Sequence, residues 1–285
     1  VRNRRALPFD RAHFPGARLM QQLISLRSRI VLCVLAGLII LFLVAPVFIV
    51  MPMAFSSSRY LDFPPPGWAL RWFERFFTKA DWYESMLVSI RLAAMTVLIS
   101  TPIGTAAAYA IHNGEHRMFK WIRNALLLPL IVPHIILAIG IFYIYVRINW
   151  LGDFSSLVLA HVMLAVPFVV TTALAGLRSF DMNQEMVARS LGCSRFSAFM
   201  RVTFPQIRGS VLSGMLFAFV TSLDEVVLGL FIAVGHNTTV TKVMFGSLRD
   251  EIDPTVAAVS SMLVIGSLTV AVLTMVMGRN SKAGS

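Results

Sequence analysis

Six stretches of this chain are each long and apolar enough to cross a bilayer, and no other feature constrains its fold as strongly. A hydrocarbon core of ~30 Å needs about 20 predominantly apolar residues in helical form. Residues 30–55, 87–111, 122–146, 155–177, 207–234 and 255–278 each meet that requirement. Backbone groups in hydrocarbon must find their partners internally, so runs of this length are expected as helices. The chain therefore reads as an all-α polytopic membrane protein with six transmembrane helices. Composition agrees: of 285 residues 57% are hydrophobic and only 14% charged, too little charge for the surface of a soluble enzyme, a disordered tail or a fibrous protein.

The formal net charge of +11 would suggest nucleic acid in a soluble chain. Here it becomes a question of topology. Six spans put both ends on one side. If that side is the cytoplasm, seventeen of the 25 Lys and Arg fall inside and seven outside, with Arg91 near the outer end of the second run, where it can snorkel. The positive-inside bias thus predicts both termini cytoplasmic in a cell inner membrane, and no nucleic-acid partner. Trp68, Trp72, Trp82, Trp121 and Trp150 all fall near predicted boundaries, as an interfacial belt requires. The expected organisation is a basic tail over 1–29, a permease domain over 30–278 containing a long cytoplasmic loop at 178–208, and a short tail over 279–285. The start, Val1-Arg2-Asn3-Arg4-Arg5, does not read as a secretory signal.

Two loops are longer than connection requires. Residues 56–86 carry Pro64-Pro65-Pro66-Gly67 and then an aromatic, charged segment. That pattern predicts extended chain followed by a short helix on the outer surface, either a lid or a surface that docks a partner. The loop at 178–208 predicts helix over 184–191, capped by Asp181 or Asn183, and a stop at Gly192. A second stretch follows from Arg195 to Thr203, capped by Ser194 and ended by Pro205. A helix–Gly–helix–Pro unit serves either to rest on the inner leaflet or to dock a cytoplasmic protein.

The residues of that unit resemble the EAA loop of ABC-importer permeases. Glu185-Met186-Val187-Ala188-Arg189-Ser190-Leu191-Gly192 is followed by Val202, Phe204 and Pro205 at the family's spacing, with Gly192 in the glycine place and Val187 and Ala188 in the two alanine places. The departure is at the acidic position: Met186 stands there in register, and the glutamate is one residue earlier. The resemblance covers roughly 30–278 and implies contact with two separate ATPase subunits through Glu185, Ala188, Gly192, Arg195, Val202, Phe204 and Pro205. It also implies a second homologous permease, usually forming a heterodimer, and a soluble or lipid-anchored substrate-binding protein outside. The chain itself has no P-loop, because none of Lys79, Lys120, Lys242 and Lys282 follows a glycine. The expectation is a transporter subunit rather than an enzyme, with no cofactor of its own and ATP-Mg bound by the partner. Arg189, Arg195 and Arg201 have two readings, acidic groups on that partner or anionic headgroups.

Asp224 and Glu225 are the acids inside an apolar run, about 26 Å along the fifth span at 1.5 Å per residue. Intramembrane acids mark a pathway by default; the alternatives are a structural pair with Arg91 or a place near the outer surface. Ser222-Leu223-Asp224-Glu225-Val226-Val227, Lys242-Val243-Met244-Phe245, the 249–254 stretch and Pro129-Leu130-Ile131-Val132-Pro133 resemble the spermidine/putrescine-type permeases. That resemblance implies a small cationic amine as substrate, or another amine or amino acid. A self-contained channel or ion-coupled transporter is the competing class, and it has no need of the loop at 178–208. Small residues at intervals of four, Ser210, Gly214, Ala218 and Ser222, with Ser100, Gly104 and Ala108, predict close helix packing. His134 and His161 read as hydrogen-bonded packing residues, since no ligand spacing suggests a metal.

Overall fold

The computed structural model of the chain describes residues 26–250 and 252–280, so the first 25 residues of the basic tail at 1–29 and the last five residues of the chain lie outside the described residues. The chain parts into two units, Val1–Ile49 and Val50–Ser285. The first contains most of α1 (Leu26–Met53), an apolar helix of 28 residues. The second begins at the last turn of α1.

The second unit continues with α2 (Arg71–Thr78), α3 (Ala80–Asn113), α4 (Arg117–Leu127) and α5 (His134–Arg147). It goes on through α6 (Phe154–Ser179), α7 (Asn183–Ser190), α8 (Arg195–Ala198) and α9 (Phe204–Asp224). It closes with α10 (Val227–Ile232), α11 (Val240–Asp250) and α12 (Thr255–Asn280). Among the described residues the one pairing of extended chain is Ser56 with Trp68, which closes the proline-containing first part of the predicted outer loop.

Five helical stretches are long and apolar enough to span, and the third run, 122–146, falls on a broken pair. Helix α4, extended by a 3-10 turn to Leu130, meets α5 at an angle of 100°. Residues 122–146 are therefore not one continuous helix. Pro129 and Pro133 cannot donate backbone hydrogen bonds, and Pro133 is the extended residue from which α5 restarts. Pro102 and Pro167, by contrast, lie inside α3 and α6 without ending them. The fifth run is also not continuous to Val234, because α9 ends at Asp224 and Glu225 is extended.

The core is the packing of α3, α6 and α9 on one another, with Leu157, Val170, Leu177, Ile207 and Val211 among its buried side chains. The small-residue stripes lie where predicted. A Cβ at Gly104 would fall 2.7 Å from the Val169 side chain, one at Gly214 2.5 Å from Thr172 Oγ1, and one at Gly176 2.6 Å from Ser210 Oγ. Backbone approach this close is what small residues permit where no hydrophobic force drives helices together in lipid. A second cluster, with Phe76, Trp82, Met86, Val240, Val256 and Val259, joins α2, the starts of α3 and α12, and α11. The sequence had offered α11 only as loop.

Candidate functional site

Two places in the second unit gather the sequence-marked residues, and they lie at opposite ends of α3. At the C-terminal end is the loop that follows α6. Asp181 Oδ1 accepts the Asn183 N–H at 3.0 Å and so turns the chain into α7. The helix ends in a paired cap: the Gly192 N–H bonds Arg189 O at 3.0 Å, and the Cys193 N–H bonds Ala188 O at 3.1 Å. This geometry needs a left-handed residue, and Gly192 has φ +94°. Ser194 Oγ then accepts the Ser197 N–H at 3.2 Å and starts α8, as expected of it.

Beyond α8 the expectation of a stop at Pro205 is corrected. Residues 195–224 form one run of helix, in which residues 199–203 make a π turn with the Phe204 N–H bonding Phe199 O. The wider turn shifts the hydrogen-bond register just before the proline, which enters the first turn of α9, where a missing N–H costs nothing. The loop is thus rigidly continuous with the fifth span.

Glu185 is buried, and both of its carboxylate oxygens are engaged within the chain. The Tyr109 hydroxyl, from the last turn of α3, donates to one oxygen and the Thr203 hydroxyl, from the π turn, to the other. The Tyr109 ring packs edge-on to Phe199 with centroids 4.8 Å apart, and the Arg195 guanidinium stands 5.4 Å from its centroid. Gln206 Nε2 donates to Gln184 Oε1 at 2.6 Å, a second tie between α7 and α9. Ala188, Val202 and Phe204 are half-buried behind the loop, whereas Gly192, Arg195 and Pro205 are exposed. Met186 and Val187 are more than half exposed, Leu191 is 83% and Phe196 75% exposed. Four large apolar side chains on one short polar loop form the kind of patch that marks an interaction site. Sequence reasoning singled out Glu185 but not Tyr109 or Thr203, because those bonds close over 76 and 18 residues.

The second place is the break at Asp224–Glu225. Glu225 is buried, and its Oε1 accepts the Leu228 N–H at 3.0 Å. Its Oε2 stands 3.2 Å from His134 Nδ1, and its backbone carbonyl accepts the Thr241 hydroxyl at 3.0 Å. The carboxylate therefore caps the six-residue α10 while facing the first residue of α5. Lys242 Nζ donates to Ala233 O at 2.6 Å at the other end of α10, so the short helix has an acid at its N-terminus and a cation at its C-terminus, as its dipole favours. Burial lowers the Lys242 pKa below the usual lysine value.

The two breaks, one in the third run and one in the fifth, are thus joined by one carboxylate–imidazole contact. Asp224 is exposed, and Arg91 is exposed and does not pair with either acid. The structure so separates two neighbours that the sequence had grouped. Within the helix bundle below, His161 Nδ1 lies 2.9 Å from Ser222 Oγ, which donates to Thr96 Oγ1 at 3.4 Å, and this links α6, α9 and α3. Among the described residues no group of His, Cys, Asp and Glu is arranged to hold a metal.

Comparison with known proteins places this arrangement. Residues 100–281 match the family described as the binding-protein-dependent transport system inner membrane component. The chain is 25% identical over 240 residues to the spermidine/putrescine transport system permease protein PotC of Haemophilus influenzae, covering 84% of this chain and 93% of that one. It is 28% identical over 234 residues to the putrescine transport system permease protein PotI of Escherichia coli K12, covering 80% and 83%. The molybdenum transport system permease protein ModB of Mycobacterium bovis is 27% identical over 191 residues, covering 63% and 69%. In fold, the chain superposes with a TM-score of 0.70 and 16% identity on a bacterial ABC transporter involved in the import of alginate, covering 92% of this chain and 99% of that one. The match over residues 100–281 takes in both the loop after α6 and the paired breaks, and the chain belongs to the binding-protein-dependent transport system inner membrane components, the permeases of ABC importers.

Proposed function

We propose that this chain forms half of the translocation path of an ATP-driven importer for a small cationic amine such as putrescine or spermidine. The carrying observation is the loop between α6 and α9: its acid is turned inward and fastened to α3 and the π turn, while Met186, Val187, Leu191 and Phe196 face out. A rigid loop with an apolar outer face suits insertion into a groove of an ATPase. Because residues 195–224 are one helical run, movement of the loop is passed directly to the fifth span. In this reading the loop and both termini are cytoplasmic, two ATPase subunits supply ATP-Mg, and a second permease completes the path. A binding protein delivers the amine from the outer side. A bacterial alginate importer solved with its ligand-bound periplasmic protein shows the same fold, which supports a delivery partner of that kind.

The amine assignment rests on the names of the two polyamine permeases and on the chemistry at the break. At the break the buried Glu225 carboxylate meets the His134 imidazole and the preceding residue, Asp224, is an exposed acid, and acids at such a break attract cations and repel anions. The molybdenum permease at similar identity supports the alternative, an importer of another small solute. The deciding experiment is uptake of labelled putrescine and spermidine by cells expressing the chain with its neighbouring subunits, with and without substitution of Leu191 by Asp. Amine uptake that is lost in Leu191→Asp, while the subunits still reach the membrane, is the expected result. Uptake of an anion instead, or full uptake by Leu191→Asp, refutes the corresponding half of the reading.

A further inference from the structure

At the end of α3 away from the coupling loop lies a cavity of about 320 Å³, lined by Arg59, Arg71, Trp72, Arg75, Asp253 and Pro254 among others. Three guanidinium groups thus meet one carboxylate, and that carboxylate is already occupied. Asp253 Oδ1 accepts the Thr255 N–H at 3.0 Å and the Thr255 hydroxyl at 2.7 Å, and Oδ2 lies 3.1 Å from Arg75 Nη2. Arg71 gives one of its donors to Ser57 O. Arg59 is exposed and forms no hydrogen bond or ion pair with another described residue. The indole N–H of Trp72, a residue only 3% exposed, and the Nε–H of Arg75 are buried without an acceptor. Three guanidinium groups beside one engaged carboxylate leave the wall of this cavity short of a negatively charged acceptor.

The position of the cavity identifies the source of that acceptor. Helix α1 ends at Met53, six residues before Arg59, and α12 begins at Thr255, directly after Pro254. Met53, Trp72 and Ala257 pack together, so the ends of both apolar helices meet beside the cavity. The ends of spans stand at headgroup depth. Tyr60, Trp68 and Phe77 on the same outer loop and α2 are exposed, as aromatic residues are at that level. Guanidinium groups recognise phosphate oxygens through their fork of N–H donors.

We propose that this cavity binds the phosphate of an anionic phospholipid headgroup, held by the guanidinium groups of Arg59, Arg71 and Arg75. Occupancy would tie α2 and the start of α12 to the membrane surface. The site is separate from the amine path and does not depend on it.

The test uses the full chain, purified with the subunits that accompany it and placed in phosphatidylcholine nanodiscs doped with phosphatidylglycerol. Mass spectrometry then reads the phosphatidylglycerol retained after a detergent wash. Arg59→Gln is the variant of choice, since Arg59 supports no contact of the fold, and thermal unfolding in phosphatidylcholine alone checks this. Wild type is expected to retain phosphatidylglycerol over phosphatidylcholine, and Arg59→Gln to lose that excess about fivefold, with Arg59→Lys retaining more of it. Equal retention by Arg59→Gln overturns the proposal. So does displacement of the lipid by inorganic phosphate alone, which makes the cavity a site for free anions. Unchanged lipid retention with weakened capture of a soluble binding protein also overturns it, and assigns the cavity to a protein carboxylate.

Discussion

Glu185 and Glu225 are both buried glutamates, yet they are held in different ways. Glu185 is fixed by two hydroxyl donors, Tyr109 and Thr203, on two separate elements. Neither partner changes charge near neutral pH, and neither is free to leave without opening the packing around Phe199. Glu225 is held by one backbone N–H and one imidazole, and the His134 side chain is 47% exposed. An imidazole open to its surroundings can be displaced. The first glutamate is a pin that fixes a loop to a span, whereas the second is a contact that can be exchanged. The same residue type is thus locked at one end of the bundle and exchangeable near the other, and the difference lies in the donors.

Four substitutions can break or sharpen that contrast. The largest effect is expected of Glu185→Ala, which leaves two buried hydroxyls without their acceptor. It should destabilise the chain by roughly 3 kcal/mol and release the ATPase on co-purification. Retention of both the ATPase and the melting temperature would falsify the role of a pin. Glu225→Gln should act the other way: the amide oxygen can still cap α10, so the subunits should remain assembled while cation uptake falls at least about tenfold, as for loss of an intramembrane charge. If that variant instead loses its ATPase as Glu185→Ala does, the two glutamates are not different in kind.

Tyr109→Phe removes one donor from Glu185 and should cost about 1 kcal/mol, measured by thermal unfolding in detergent. Its effect on uptake should follow its effect on ATPase retention. The smallest loss is expected of Gly192→Ala. A Cβ there meets nothing within 4 Å, so its cost is the left-handed backbone alone, about 1 kcal/mol. Hydrogen exchange of the Cys193 amide, which reports the cap to Ala188, should rise in this variant and stay unchanged in Glu225→Gln.

The form of the loop at 178–208 was largely legible in the sequence because its signals are local. Gly192 and Ser194 act within four residues of themselves, and the structure has the left-handed turn and the cap where the spacing put them. The inward direction of Glu185 was not legible. Its register offset from the family pattern carried no sign of it, because the hydroxyls that donate to it come from a different span and from beyond α8. The breaks were half visible. Pro129 and Pro133 marked the third run, whereas nothing in the apolar average of 207–234 marks the end of α9 at Asp224. Hydropathy sums the cost of burying side chains and is blind to where the backbone stops being helical.

The sequence by itself determined that this chain lives in a membrane, how many apolar runs it has, and where a helix–Gly–helix loop stands between two of them. Those follow from free energies of transfer and from turn chemistry, which act residue by residue. Only the tertiary structure decided which acid is pinned and which is exchangeable, and that the third and fifth runs are both broken and joined at Glu225 and His134. Those outcomes depend on donors brought together from 76 and 91 positions away, and a buried carboxylate takes its character from the partners that the fold supplies.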